Sequence, residues 1–223
     1  MRSRIMRLAV ICFVIFMWTA AAEWYEDDYP GNRDFWFEDE EGYYFENHIQ
    51  TEEYDFGLNG GRAAVLRYKG NAAEIAIPGE IEGYPVIAIV PGALDNCAGL
   101  QSVHLPDSFH SIDGAAFSGY AWLQSVTIPD SVAYIGVSAF SGCAGLTSVT
   151  IPDSVTYIDM FAFYDCANLQ SVIIPASVTV IEDGVYSIFE GCGNVTLYVA
   201  PGSYAEAYAQ KHSIPYHGLE DIQ

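Results

Sequence analysis

Residues 123–145 read LQSVTIPDSVAYIGVSAFSGCAG, and residues 146–168 read LTSVTIPDSVTYIDMFAFYDCAN. The two stretches are consecutive copies of one 23-residue unit, and related copies lie on both sides of them. The proline of the unit keeps this interval, at Pro106, Pro129, Pro152 and Pro175. A fixed period of about 20 to 29 residues with apolar residues at set places is typical of a solenoid, in which each repeat forms one coil of a stack.

The apolar residues before each proline predict a strand. Val149 and Ile151 alternate with small polar residues, and a period of two is typical of a half-buried strand. Pro152 has no backbone N–H, so the strand must end there, and Asp-Ser after it favours a turn. The chain returns through Ile158 and an Ala-Phe-x-x-Cys segment around Phe163, which is long enough for about one helical turn. We therefore predict a repeat solenoid of leucine-rich type, with stacked parallel β-strands, short helical turns on the convex side and five or six coils.

The two ends of the chain differ from the repeats. Residues 1–22 combine three early arginines, an apolar run and three alanines, which is typical of a secretory signal peptide, and an uncleaved signal anchor is the alternative. Either interpretation places the remaining chain outside the cytoplasm, with membrane contact only through an uncleaved anchor. At the other end, Ser203 and Glu206 form a capping-box pattern before an alanine-rich stretch, which predicts a C-terminal capping helix within residues 201–223.

The charge of the chain excludes one class of partner. Its formal net charge is −21, and the only basic side chains beyond the leader are Arg33, Arg62, Arg67, Lys69 and Lys211. Proteins that bind nucleic acids or anionic membranes need clustered Lys and Arg. We therefore expect neither DNA nor RNA as a partner.

Residues 23–53 form an acidic segment that is rich in aromatic residues. A mobile acidic tail is one interpretation, because high net charge favours disorder, and a cap over the open end of the solenoid is the other, because disordered segments usually contain few aromatics. The solenoid itself is expected over residues 54–200. It should start with a hairpin around Asn59-Gly60-Gly61, which is strong turn chemistry, and include a loop around Glu82-Gly83-Tyr84-Pro85.

The cysteines recur at one position of the repeat, at Cys97, Cys143, Cys166 and Cys192, and Tyr120 replaces the cysteine in one coil. A ladder of buried thiols is favoured over disulfides, because neighbouring coils lie about 4.8 Å apart whereas disulfide Cβ atoms are about 3.8 Å apart. The five histidines are scattered, and no metal-ligand spacing or nucleophile motif accompanies them. The sequence therefore predicts no enzyme activity, no metal and no cofactor.

The repeat pattern Val-Thr-Ile-Pro-Asp-Ser-Val, followed by Ile and Ala-Phe-x-x-Cys, resembles the BspA-like leucine-rich repeat family over roughly residues 74–199. Residues 80–86 and 202–216 also resemble segments at the two ends of that family's repeat domains. The resemblance implies a bacterial surface or secreted protein with a curved solenoid, acting in adhesion or other protein interactions.

We therefore expect an exported, non-enzymatic protein-interaction module. A carbohydrate-binding protein that uses the aromatic N-terminal segment is the first alternative, and a structural surface spacer without a specific ligand is the second. A specific partner is best sought where the repeat fails. The candidate partner-binding residues at those places are Trp24, Tyr25, Trp36, Tyr43, Tyr44, Tyr84 and Tyr120.

Overall fold

The computed structural model describes residues 38–39, 42–43, 45–182 and 186–222, with side chains from residue 45 onwards. The predicted leader, residues 1–22, lies outside the described residues. The strands are β1 Glu38–Asp39, β2 Gly42–Tyr43, β3 Asn47–Gln50, β4 Tyr54–Asn59, β5 Arg62–Tyr68, β6 Glu74–Ala76, β7 Glu80–Ile81, β8 Tyr84–Ile89, β9 Ser102–His104, β10 Ser111–Ile112, β11 Ser125–Thr127, β12 Tyr134–Ile135, β13 Ser148–Thr150, β14 Tyr157–Ile158, β15 Ser171–Ile174, β16 Val180–Ile181, β17 Thr196–Val199 and β18 Tyr216–Gly218. The helix α1 spans Tyr204–Lys211, and a 3₁₀ turn follows at Leu219–Asp221.

Three hairpins, β3–β4, β4–β5 and β7–β8, build the N-terminal sheet, whose strand order is β3-β4-β5-β8-β7. The predicted β4–β5 hairpin is present, and Gly60 and Gly61 at its turn have φ of +55° and +74°, which glycine adopts without strain. The segment around Glu82-Gly83-Tyr84-Pro85, which was expected to be a loop, is instead the β7–β8 hairpin. Glu82 and Gly83 form its two-residue turn with φ of +50° and +86°, and β8 continues into parallel pairing with β5.

In the described chain, the four coils that run from β9 to β16 each contribute one strand to each of two parallel sheets. We call the strands that end near the repeat prolines the outer sheet, and they pair in the orders β11-β9-β6 and β13-β15-β17-β18. The return strands form the second sheet, in the order β10-β12-β14-β16. Register follows the repeat, since Tyr134 lies opposite Tyr157 and Val149 lies opposite Val172. The fold is therefore the predicted solenoid of stacked parallel strands.

The core is a set of ladders that run along the stack. Phe117, Phe140, Phe163 and Phe189 stack with ring centroids 5.4, 5.4 and 5.7 Å apart and nearly parallel planes. All four rings are buried, as are the repeat leucines and most of the inward Val and Ile residues of the strands. Burying a side chain of this size contributes about 1.5–3 kcal/mol, so each coil depends on its neighbours for stability.

The Ala-Phe-x-x-Cys segments form successive tight turns, not a continuous helix. The amide of Cys143 bonds the carbonyl of Phe140 at 3.1 Å, the i→i+3 spacing of a turn. The amides of Phe140 and Gly142 bond the next coil instead, at the carbonyls of Ala162 (2.8 Å) and Tyr164 (2.7 Å). Because alternate N–H groups pair between coils, they cannot form the i→i−4 bonds of an α-helix.

The four repeat cysteines are free thiols, and three of them are buried. Cys143 and Cys166 bond the carbonyls of Phe117 and Phe140 at 3.0 and 3.2 Å, so each thiol bridges to the preceding coil. Burial raises the pKa of Cys143 from its ordinary value of 9.0 to about 12. These contacts confirm the buried-thiol ladder.

The C-terminal cap follows its sequence prediction. Ser203 caps α1 through a bond from the Glu206 amide to its hydroxyl at 3.2 Å, and the Glu206 carboxylate accepts a bond from the Gly202 amide at 2.6 Å. Ala205, Tyr208 and Ala209 bury the inner side of the helix. In the part of the chain that the structure describes, no helix is long and apolar enough to cross a membrane.

Candidate interaction surface

The outward side chains of the outer sheet form two rows that run along the stack. We call this surface the outward face. Because parallel partners lie in register, each row collects one residue from every coil. The first row contains Glu74, Ser102, Ser125, Ser148, Ser171 and Thr196, and the second contains Ala76, His104, Thr127, Thr150, Ile173, Tyr198 and His217. From β9 to β18 these two rows contain no carboxylate, although the chain carries 29 acidic residues.

The second row changes in character at its C-terminal end. Ile173, Tyr198 and His217 are neighbours in register on β15, β17 and β18, and we call them the aromatic corner. The rings of Tyr198 and His217 lie 5.8 Å apart between centroids, tilted by 37°. Tyr198 and Ile173 are half-buried, and His217 is exposed. The corner therefore offers an apolar and aromatic contact at the end of an otherwise hydroxyl-lined face.

The candidate partner-binding residues selected from the sequence do not include Tyr198 or His217. Both lie beyond the regular repeats, in strands whose spacing departs from 23 residues. For Tyr198 the signal is the alternation in Thr196–Val199, which places this tyrosine outward between the buried Leu197 and Val199.

The outer sheet is interrupted in the middle of the stack. Across the described chain β11 pairs only with β9, and β13 pairs only with β15, so these two neighbouring strands form no ladder with each other. We call this interruption the seam. Trp122, Gln124, Gly145 and Thr147 border a depression there with a volume of about 550 Å³. Trp122 is 66% exposed, more than any other described large hydrophobic residue, and sequence reasoning did not select it.

The structure places the predicted partner-binding residues unevenly. Trp24, Tyr25, Trp36 and Tyr44 lie outside the described residues, and Tyr43 belongs to β2 with an undescribed side chain. Tyr84 begins β8 and is 36% exposed. None of these six is brought to the outward face by a described contact.

Tyr120 is not available to a partner, which corrects its selection as a candidate. Only 5% of its surface is exposed, and its hydroxyl accepts a bond from the Leu94 amide at 3.1 Å. Its ring packs edge-on against Phe117 at 6.4 Å. Tyr120 therefore occupies the cysteine position of its coil as a core residue, and its polar tip bridges to the preceding coil as the thiols do.

The described side chains offer little to a metal ion. Among the described residues, no three His, Cys, Asp or Glu side chains are grouped closely enough to hold one. Asp107, Asp130 and Asp153, which a calcium site along the turns would need, are all exposed to solvent.

Comparisons with known proteins agree with this architecture. The family model described as a BspA-type leucine-rich repeat region matches residues 69–209 with 6 copies. A leucine-rich repeat protein from T. pallidum is 29% identical with a TM-score of 0.57, and the match covers 69% of this chain and 82% of that one. A leucine-rich repeat protein from Bacteroides ovatus is 26% identical with a TM-score of 0.56, and the match covers 69% of this chain but only 41% of that one.

Among curated proteins no sequence matches the chain. The repeat model nevertheless covers more than half of the chain, and it spans the same coils whose ladders and register are described above. The chain belongs to the BspA-type leucine-rich repeat family.

Proposed function

We propose that this chain is an exported bacterial protein-interaction module without enzyme activity, and that it binds a protein partner through the outward face. The single observation that carries the proposal is the aromatic corner, where Ile173, Tyr198 and His217 lie side by side in register. Tyr is among the residues that dominate the energetics of protein interfaces, and clusters of such residues act as hot spots.

The electrostatics of the outward face support the same proposal. The interface cores of protein complexes are depleted of charged residues, and the outward rows from β9 to β18 contain no carboxylate. The remaining surface of this acidic chain repels other acidic proteins. The neutral face is therefore the part of the molecule that a partner can approach at least electrostatic cost.

The experiment that tests the proposal compares two variants. Tyr198→Thr together with Ile173→Thr converts the aromatic corner to the hydroxyl chemistry of Thr127 and Thr150 in the same row. A partner is first isolated with the purified wild-type chain from extracts of neighbouring bacteria or host cells, and then purified for binding measurements. We expect the double variant to lose affinity for that partner by about tenfold or more.

Tyr84→Thr is the matched control, because it removes an exposed tyrosine at the opposite end of the stack. An equal affinity of wild type and double variant, or an equal loss in the Tyr84 control, would overturn the assignment of the binding surface. Far-ultraviolet circular dichroism and urea midpoints establish that each variant is folded.

The acidic aromatic segment gives a second arm to this experiment. Residues 47–50 pair with β4, and Phe45 packs against the core, so a deletion should stop before Phe45. Removal of residues 23–44 leaves this described contact in place. If the binding surface is the outward face, the shortened chain keeps its affinity for the protein partner.

Export is a separate claim with a separate test. The arginines and apolar run of residues 1–22 support a signal peptide, and the family resemblance favours the cell surface or the medium. N-terminal sequencing of the protein from a secreting bacterial host should show a chain that begins after Ala22. Accumulation in the cytoplasm would contradict export, and an intact leader in the membrane fraction would favour the signal anchor.

A further inference from the structure

Trp122 is anomalous within its own repeat. The equivalent positions in neighbouring coils are Gly99, Gly145 and Asn168, each followed by the buried leucine of the repeat. The fold therefore does not need a large side chain here. Trp122 nevertheless exposes 66% of its surface, so its indole is available to a ligand.

The depression beside the indole has a definite chemical character. Ala121, Ala144 and Gly145 form its apolar part, and Gln124, Thr147 and Asn168 supply two amides and a hydroxyl. All of these lining residues are uncharged. The depression is open to solvent, and like small-molecule sites it combines an apolar lining with a few polar groups.

Local backbone geometry keeps the depression open. A Cβ atom on Gly145 would lie 2.9 Å from the carbonyl oxygens of both Ala121 and Leu123. No side chain can therefore fill the space next to Trp122 from that position. The site lies beside the seam, because Gln124 and Thr147 of its lining immediately precede β11 and β13.

We infer that this depression is a binding site for a neutral hexopyranose unit of an oligosaccharide. A pyranose ring has an apolar C–H face that packs on the electron-rich face of an indole. Its hydroxyls both donate and accept hydrogen bonds, as the amides of Gln124 and Asn168 and the hydroxyl of Thr147 do. No described lining group is a cation for an anionic sugar or a carboxylate for a metal or a basic peptide.

The site is separate from the aromatic corner. Trp122 precedes β11, whereas Ile173, Tyr198 and His217 lie on β15, β17 and β18 on the far side of the seam. A failure of sugar binding therefore leaves the proposed protein interaction unaffected, and the reverse also holds.

The test is titration calorimetry of the purified chain with cellohexaose, maltohexaose, mannohexaose and chitohexaose. We expect at least one of these neutral oligosaccharides to bind, and Trp122→Asn to weaken that binding about tenfold or more. Asparagine is the residue that Asn168 places at the equivalent position, so the variant coil retains a sequence that the stack already accommodates. Tyr186→Thr is the control for an exposed aromatic residue elsewhere, because Tyr186 is 53% exposed and is not among the candidate partner-binding residues, and this variant should bind as wild type does.

Four results would overturn the inference. The first is the absence of binding by all four oligosaccharides at millimolar concentration. The second is equal binding by wild type and Trp122→Asn. The third is loss of sugar binding on removal of residues 23–44 but not in Trp122→Asn, which would place the site in the N-terminal aromatic segment. Loss of a protein partner in Trp122→Asn without any sugar binding would likewise replace the sugar by a protein ligand.

Discussion

The hydroxyl of Tyr134 donates a hydrogen bond to the carboxylate of Asp159 in the next coil, and both residues are buried. The same carboxylate accepts the Met160 amide at 2.6 Å. A buried carboxylate is tolerated only where hydrogen bonds replace its hydration. The Tyr134–Asp159 hydrogen bond therefore links two neighbouring coils inside the core.

Tyr134→Phe should destabilise the chain by about 1.5–3 kcal/mol, the usual contribution of a hydrogen bond to a charged group. The substitution removes one oxygen and leaves the ring that packs at 5.3 Å from the ring of Tyr157. Urea unfolding at pH 7, followed by circular dichroism, gives the change in the free energy of unfolding.

Tyr157→Phe is the matched control, because Tyr157 makes the equivalent bond one coil later. Its hydroxyl bonds Glu182 at 2.8 Å, but both residues are only half-buried and water can replace the lost partner. The expected loss is about 0.5–1.5 kcal/mol. Equal losses in the two variants would show that burial of Asp159 does not govern the strength of the bond.

The buried thiol of Cys143 gives a prediction for alkaline pH. Burial raises its pKa from 9.0 to about 12, so above about pH 9 the unfolded chain releases this proton before the folded chain does. Between about pH 9 and 12 this group lowers the free energy of unfolding by up to about 1.4 kcal/mol per pH unit. Below pH 9 the thiol is protonated in both states and contributes no pH dependence.

Cys143→Ala removes that group, and urea unfolding at pH 8, 9, 10 and 11 measures the effect. The variant should be less stable at pH 8 because it loses packing, but its stability should fall less steeply with pH than that of wild type. Parallel curves for the two proteins would contradict the assignment of this titration to Cys143.

At the scale of single elements, the sequence predicted the strands, turns and caps that depend on neighbouring residues in the chain. Alternating Val and Ile before a proline predicted the strands, Asn59-Gly60-Gly61 predicted a hairpin, and Ser203 with Glu206 predicted the cap of α1. The β7–β8 hairpin was missed because Glu82 supplies one of its two positive φ angles, and glutamate gives little turn signal. The short turns after each return strand were predicted, but the pairing of their N–H groups between coils was not, because the propensity of one segment does not report contacts with another.

The C-terminal helix allows its capping bond to be tested directly. Ser203→Ala removes the oxygen that accepts the Glu206 amide and should cost about 1 kcal/mol. Ser203→Asp retains an acceptor at the helix N-terminus and should restore most of the stability. Thermal or urea unfolding of the two variants provides the comparison, and equal destabilisation by alanine and aspartate would exclude a capping role.

At the scale of the whole molecule, the repeat makes the stack modular. Removal of residues 123–145 deletes one complete 23-residue unit and joins Trp122 to Leu146, which preserves the order of positions along the coil. We expect this shortened chain to unfold cooperatively, with a lower midpoint and a smaller denaturant slope because less surface is buried.

Removal of residues 123–134 alone is the control for that deletion. This deletion removes about half a unit. Strand residues of one coil would then lie beside turn residues of the next, so we expect no cooperative unfolding transition. Cooperative unfolding of this second chain, or its loss in the first, would contradict a stack held together by unit register.

The overall fold could be predicted because the same pattern of Leu, Val, Ile, Pro and Phe recurs in successive coils. The proposed binding surfaces could not be predicted in this way. The aromatic corner depends on Tyr198 and His217, which lie where the spacing is irregular. The depression depends on Trp122, on Gly145 and on the lack of pairing between β11 and β13. The sequence pattern of one coil does not show whether its strand will pair with the strand of the next coil. Tyr120 was selected because it replaces the cysteine of the repeat. Its ring packs in the core instead of facing a partner.

The seam also affects how the molecule responds to mechanical load. Between β11 and β13 the outer sheet contributes no ladder, while β12 and β14 on the opposite side remain paired and Phe140 stacks on Phe163. Tension applied to the two ends of the stack should therefore separate β11 from β13 and bend the stack at the seam before any coil unfolds. Force spectroscopy should show a compliant early extension that disappears when residues 123–145 are deleted, because the cut removes one side of the hinge.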